Sequence, residues 1–157
     1  MTDTRFPTPE RIPIEDHPFF HGFDAGFLHR VGAAAEERTF AADEFLFHEG
    51  TPARAFYLVQ EGKVALEIGA GGGPPLTIQT IGAREVIGWS WLVPPHRWRF
   101  DARALKPTRL HSIDAAALRA AIDADPLQGY RLLRRLVPVL AERLEMARLQ
   151  VLDVHRR

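Results

Sequence analysis

Residues 40–66 read FAADEFLFHEGTPARAFYLVQEGKVAL, three short apolar runs cut apart by turn chemistry. The runs are Phe45–His48, Ala55–Gln60 and Lys63–Ile68. The breaks are Ala42-Asp43, Gly50-Thr51-Pro52 and Glu61-Gly62, where small, polar or ring-constrained residues favour chain reversal. Runs of this length between such breaks are strand-like. Within the third run, VALEIG alternates and sets Val64, Leu66 and Ile68 on one face.

The same pattern extends on both sides. Arg38–Phe40 precedes the stretch, and Leu76–Ile81, Val86–Gly88, Phe100–Ala104 and Arg109–Ile113 follow it. Further breaks fall at Gly69–Pro75 (GAGGGPP) and at Gly82-Ala83. Many short strands at this spacing predict a sandwich or barrel-like roll. The fold class expected is α+β, mainly β: an eight-stranded β-roll (a double-stranded β-helix, jelly-roll-like) with an N-terminal helix and two C-terminal helices.

Upstream, residues 1–16 carry Pro7, Pro9 and Pro13 among charges, which excludes a helix and predicts an extended arm. The arm is ordered only if Phe6, Ile12 and Ile14 find something to pack on. Phe19, Phe20, Phe23, Phe27, Leu28 and Val31 then recur at roughly helical spacing. Gly22 and Gly26 weaken that pattern, so the reading is a short or broken helix. Downstream, Asp114 is placed to cap AAALRAAIDA. Asp125-Pro126 opens a second, longer helix that should run to about Asp153. On it, Tyr130, Leu133, Val137, Leu140, Leu144, Ala147 and Val151 form one apolar stripe. Leu132, Leu136, Val139 and Met146 form another. Two stripes call for two partners, the roll and a second copy of the helix, so a homodimer is expected. Pro138 removes one helical hydrogen bond and should kink this helix.

Bulk properties narrow the classes. Of 157 residues, 46% are hydrophobic and 25% charged, ordinary for one globular domain. Twenty basic and 20 acidic residues cancel, so no net field recruits nucleic acid or anionic membrane. There is no cysteine, which removes disulfides, thiolate metal sites and cysteine nucleophiles together. No apolar run approaches the ~20 residues that span a bilayer, and MTDTRFPTPERIPIEDHP has no signal-peptide core. The expected location is the cytoplasm, without a membrane.

Taken in order, HPFF at 17–20 and the 40–66 stretch resemble the cyclic nucleotide-binding domain of the cAMP receptor protein and kinase regulatory-subunit superfamily. The resemblance covers roughly residues 17–154, so residues 17–157 are taken as that domain and 1–16 as the arm. Gly50 and Gly62 match the family's turn glycines, and Asp43 stands where a glycine is usual. Asp tolerates left-handed backbone better than most residues.

The resemblance also implies a ligand cassette: a Gly-Glu pair, a short helical turn, then an arginine and small residues. Backbone N–H groups and the arginine hold a cyclic phosphate, while the glutamate accepts from the ribose. In this chain the segment is GAREVIGWSWLVPPHRWRFDARA, residues 82–104. Aligned between Gly88 and Ala104, the glutamate position is Trp89 and the arginine position is Trp98. Arg99 and Phe100 replace the small residues. Losing the ribose acceptor should cost roughly 1.5–3 kcal/mol. Ordinary cAMP binding is therefore not expected.

Each candidate residue has two readings. Trp89, Trp91 and Trp98 form an aromatic ligand box, or they fill the roll. Arg97 and Arg99 clamp a phosphate, or they line a solvated strand edge; alternation points both away from Trp98. The candidate ligand-binding set is thus Gly88, Trp89, Ser90, Arg97, Trp98 and Arg99, with a nucleotide or other anion as the only cofactor-like species. Of the seven histidines, His17 and His21 have helical spacing but flank Pro18, and no metal site is expected. GAGGGPP lacks the Lys-Ser/Thr of a phosphate loop and reads as a hairpin connection. No nucleophile, base and orienting acid cluster, so no catalytic residues are assigned and an enzyme is not expected. Transcription factors of this family continue into a winged helix-turn-helix, whereas VLDVHRR ends the chain, so DNA binding through this chain alone is not expected.

Two functions follow. One is a stand-alone sensor or regulatory module with a degenerate phosphate-binding cassette. The other is an accessory subunit of a larger enzyme complex, conceivably an oxidoreductase, acting through protein contact.

Overall fold

Reversals at the turn residues carry the chain back and forth between two sheets. The computed structural model describes residues 13–70 and 72–155. The strands are β1 (Ala35–Phe40), β2 (Phe45–Phe47), β3 (Ala55–Glu61), β4 (Lys63–Ala70), β5 (Gly73–Gly82), β6 (Val86–Ile87), β7 (Asp101–Ala104) and β8 (Thr108–Asp114). They form two four-stranded sheets in the orders β1-β8-β3-β6 and β2-β7-β4-β5. Every pairing is antiparallel, and β3 with β8 and β4 with β7 supply the centre of each sheet. The expected mainly β roll is the observed architecture.

Two turns show why particular residues stand where they do. Gly62 joins β3 to β4 at φ +117°, and a Cβ there would lie 2.4 Å from the Thr108 hydroxyl. Only glycine fits. Asp43, at φ 69°, does adopt the left-handed backbone, and its carboxylate also accepts from Arg103 Nη1 at 2.6 Å.

Helices cover the outer face of the first sheet. Pro18–Phe20 is a 3-10 turn, and α1 (Ala25–Ala33) is capped by Asp24, whose Oδ2 accepts from the Phe27 N–H at 3.0 Å. The phenylalanine-rich segment is therefore a broken helix, as expected. Of the expected arm, residues 1–12 lie outside the described residues. At its end Ile14–Asp16 forms a 3-10 turn with Ile14 buried. α2 (Ala115–Ala124) begins where Asp114 accepts from the Ala117 N–H at 2.9 Å. α3 (Pro126–His155) continues through Pro138 as one helix of 30 residues.

This cover changes the burial pattern. β3 is buried on both faces: Tyr57 points toward Phe47 inside the roll, and Phe56 meets Phe19 and Trp91 outside it. β4 departs from simple alternation too. Val64 and Leu66 are buried but Ile68 is 41% exposed, while Glu67 on the opposite face is only 2% exposed. Arg103 of β7 explains Glu67, lying across it with Nε to Oε1 at 2.8 Å and Nη2 to Oε2 at 3.2 Å. A fork-shaped ion pair lets a carboxylate sit buried on a sheet face.

α3 divides as its two stripes predict. Leu132 and Leu136 are fully buried, and Val139 packs partly against the core. On the other side Tyr130, Leu133, Val137, Leu144 and Val151 are exposed, as is Ala147, and Leu140 is half-buried. Met146, from the inner stripe, is exposed as well, beyond the reach of the roll's core.

Candidate functional site

β6 ends at Gly88, whose φ of +102° turns the chain out of the sheet. From there to Phe100 the segment is irregular, with local bonds from Leu92 N–H to the Trp89 carbonyl and from His96 N–H to the Val93 carbonyl, both 3.0 Å. Pro94-Pro95 is cis. The returning limb is tied to the turn between β2 and β3. Trp98 N–H donates to the Thr51 carbonyl at 2.9 Å, Gly50 N–H to the Trp98 carbonyl at 2.8 Å and Ala53 N–H to the His96 carbonyl at 2.7 Å. The cassette is thus an irregular loop that leaves the edge strand β6 and is fixed on its return to the β2–β3 turn.

Inside, tryptophans occupy the space. Trp98 is 3% exposed and stacks on Phe47 with ring centroids 3.6 Å apart and planes 7° from parallel. Tyr57 continues the stack at 6.2 Å, and burial pushes its phenol above the usual value. A Cβ on Gly88 would come within 2.8 Å of the Trp98 ring, so glycine is required there for packing as well as for its φ. Trp91 is fully buried against Phe56, with its indole N–H donating to the Gly88 carbonyl at 3.0 Å. Ser90 between them is buried.

Outside, the cations and the third tryptophan form a separate surface. Arg97 and Arg99 are exposed on the side opposite Trp98, as strand alternation predicts. Arg97 Nη1 donates to the Gly50 carbonyl at 2.6 Å. The Arg99 guanidinium lies 5.6 Å from the centre of the half-buried Trp89 ring, within cation–π range. The structure therefore groups Gly88, Ser90 and Trp98 in the interior and Trp89, Arg97 and Arg99 on the surface.

Two arginines that no cassette pattern singles out hold this segment to the helices. Arg119 of α2 donates from Nη1 to the Trp91 carbonyl at 2.6 Å. Arg143 of α3 donates to the Val86 carbonyl, two residues before Gly88. Burial lowers the Arg143 guanidinium to about 10, against the pull of Glu85 and Glu142. Nothing in the sequence marks these contacts, because a carbonyl acceptor has no side-chain signature.

Among the described residues, no group of three or more His, Asp or Glu side chains is placed to hold a metal ion. No described helix is long and apolar enough to cross a membrane.

The family model for the cyclic nucleotide-binding domain matches residues 37–125, more than half of the chain. The chain belongs to that family. Solved structures agree with the assignment. A candidate cyclic nucleotide-binding protein from Geobacter metallireducens GS-15 superposes with a TM-score of 0.74 at 26% identity, covering 88% of this chain and 99% of that one. The N-terminal domain of a transcriptional regulator from Streptomyces coelicolor A3(2) gives 0.66 at 27% identity, covering 85% and 94%. The catabolite activator protein of Thermus thermophilus gives 0.67 at 27% identity, with 88% of this chain covering 63% of that protein. No curated protein sequence matches the chain.

Proposed function

We propose that this protein is a regulatory module of the cyclic nucleotide-binding fold whose cassette is filled by its own side chains, and which is not an ordinary cAMP receptor or an enzyme. The observation that carries this reading is Trp98. Its ring lies in the roll between Gly88 and Phe47, at the position where the family's arginine faces a cyclic phosphate. A nucleotide entering there would have to displace a stacked, buried indole and would find no carboxylate at residue 89 for its ribose. Burying such a ring is worth several kcal/mol, a barrier that an ordinary nucleotide contact does not offset.

The module works as a homodimer through the outer stripe of α3, in the cytoplasm, a location to which the absence of cysteine is suited. Its signal is a change in how the C-terminal helices sit on the roll. Arg119 and Arg143 make that route physical, since each ties one helix to a carbonyl in or beside the cassette. A partner or anion contacting the cassette surface then shifts the balance between two helix packings.

Calorimetric titration with cAMP and cGMP at millimolar ligand tests the first part. We expect no heat; saturable micromolar binding would overturn the closed-cassette reading. A second reading is favoured by the outer surface, where Val93, Pro94, Pro95, Arg97 and Arg99 are exposed together. In it the chain is an accessory subunit of a larger enzyme complex, and the cassette is a docking surface. Affinity capture from native lysate, with an Arg97→Glu/Arg99→Glu variant as control, tests it: recovery of the same partner by both proteins counts against the cassette surface.

A further inference from the structure

We propose that the cleft between the Pro18–Phe23 turn and the first half of α3 is a binding site for a small phosphate-bearing anion. The cleft has a volume of about 420 Å³ and is lined by Gly22, Phe23, Arg131, Arg134 and Arg135. Three guanidiniums and no carboxylate line it, in a protein whose total charge is zero. Such a local surplus makes a positive potential that the sequence-wide balance conceals.

Two of the arginines are held in place before any ligand arrives. Arg135 Nη1 donates to the carbonyls of Pro18 at 3.0 Å and Phe19 at 2.8 Å, and Nη2 donates to that of His21. Its guanidinium also lies 5.4 Å from the centre of the Phe23 ring. Arg131 Nη1 donates to the Gly22 carbonyl at 3.1 Å. These partners are neutral, so they fix the side chains without neutralising them. Among the described residues no carboxylate is paired with any of the three. Asp24, next in sequence to Phe23, is engaged at the N-cap of α1.

Ordered guanidiniums suit phosphate for two reasons. Their planar forks match two phosphate oxygens at once, and a side chain already fixed loses little entropy on binding. Arg134, with no hydrogen bond or ion pair to another of the described residues, completes the site by closing over the anion. A lysine or a mobile arginine on a solvated helix would supply charge without this pre-arrangement.

The experiment is calorimetry and thermal denaturation of the whole chain at low ionic strength. Inorganic pyrophosphate, inorganic phosphate and ionic-strength-matched sodium chloride are the probes. Saturable pyrophosphate binding with a rise in melting temperature is expected, with phosphate weaker and chloride inert. Comparing the two phosphates separates a diphosphate-bearing ligand from a single phosphate. Arg134→Gln should fold as the parent does, because the side chain is exposed, and should weaken pyrophosphate binding about tenfold. Arg131→Gln should weaken it as well, while Arg148→Gln, an exposed arginine farther along α3, should not. No saturable binding, or equal affinity in the Arg131 and Arg134 variants, would overturn the site. Because Arg131 and Arg134 lie outside the cassette, failure here leaves the reading of the cassette standing, and the converse also holds.

Discussion

The cassette and the last helix both carry more apolar surface than a solvated segment would, and they dispose of it in opposite directions. The cassette turns Trp91 and Trp98 inward, to 0% and 3% exposure, and shows its arginines to solvent. α3 buries Leu132 and Leu136 but leaves Leu133 at 41%, Val137 at 55% and Leu144 at 73%. One region is saturated within the chain and the other is not. Among the described residues, more of the uncovered apolar surface lies on the helix than on the cassette.

The largest effect expected lies at the saturated end. Trp98→Ala removes a ring stacked at 3.6 Å on Phe47 and should cost about 3–5 kcal/mol, read from urea denaturation. A loss below about 1 kcal/mol would show that the ring is not part of the core, and the contrast with α3 would collapse. Next comes the strand that closes the cassette. Arg103→Leu strips the partner from the buried Glu67 carboxylate and should cost about 3 kcal/mol. The Arg103→Leu/Glu67→Leu pair should recover most of that, because no buried charge is then left alone; Asp43, the other partner of Arg103, is exposed. Failure to recover would place the cost in packing instead.

A smaller effect tests how the inner face of α3 is seated. It rests on the Pro18–Phe20 turn, which His17 pins to the roll: Nε2 donates to the Val59 carbonyl at 3.1 Å and Nδ1 accepts from the Phe19 N–H at 3.2 Å. Both ring nitrogens are used by the neutral imidazole. Burial, with a lesser contribution from His111, lowers its pKa below the ordinary 6.5, while the carbonyl bond works the other way. The unfolded chain then binds the proton more readily than the folded one. His17's contribution should be whole above pH 6.5 and decline as the pH falls from there toward the folded-state value. Denaturation midpoints at several pH values, compared with His17→Gln, check the sign. A slope unchanged in the variant would assign the acid sensitivity elsewhere.

The least effect on the isolated fold belongs to the outer stripe. Val137→Glu and Leu144→Glu should each change monomer stability by less than about 0.5 kcal/mol, yet dissociate the dimer in sedimentation velocity. A dimer that survives both would move the interface off α3 and leave its stripe unexplained.

The fold was legible because its signals are local. Asp43, Gly50 and Gly62 mark reversals, and Asp114 and Asp125 precede helices. Each acts on backbone within a few residues, so reading along the chain suffices. The burial of β3 on both faces was not legible, because Phe56 is covered by Phe19, 37 positions earlier in the sequence. Glu67 stayed hidden for the same reason. Alone it reads as a solvated strand residue, and Arg103, brought beside it by pairing of β4 with β7, makes its burial tolerable.

The cassette divides along that line. Sequence by itself determined that a tryptophan, not a glutamate, follows Gly88, and that Arg97 and Arg99 share a face opposite Trp98. Alternation in an extended segment needs only the backbone. Tertiary structure alone decided between an aromatic box and a filled core. That choice depends on whether Phe47, Tyr57 and Gly88 leave space over the indole, and they close on it. It likewise made Arg131 and Arg135 the fixed walls of a cleft, because the carbonyls that hold them belong to a turn over 100 residues away. Side-chain identity is written in the sequence; what surrounds a side chain is written only by the contacts the fold creates.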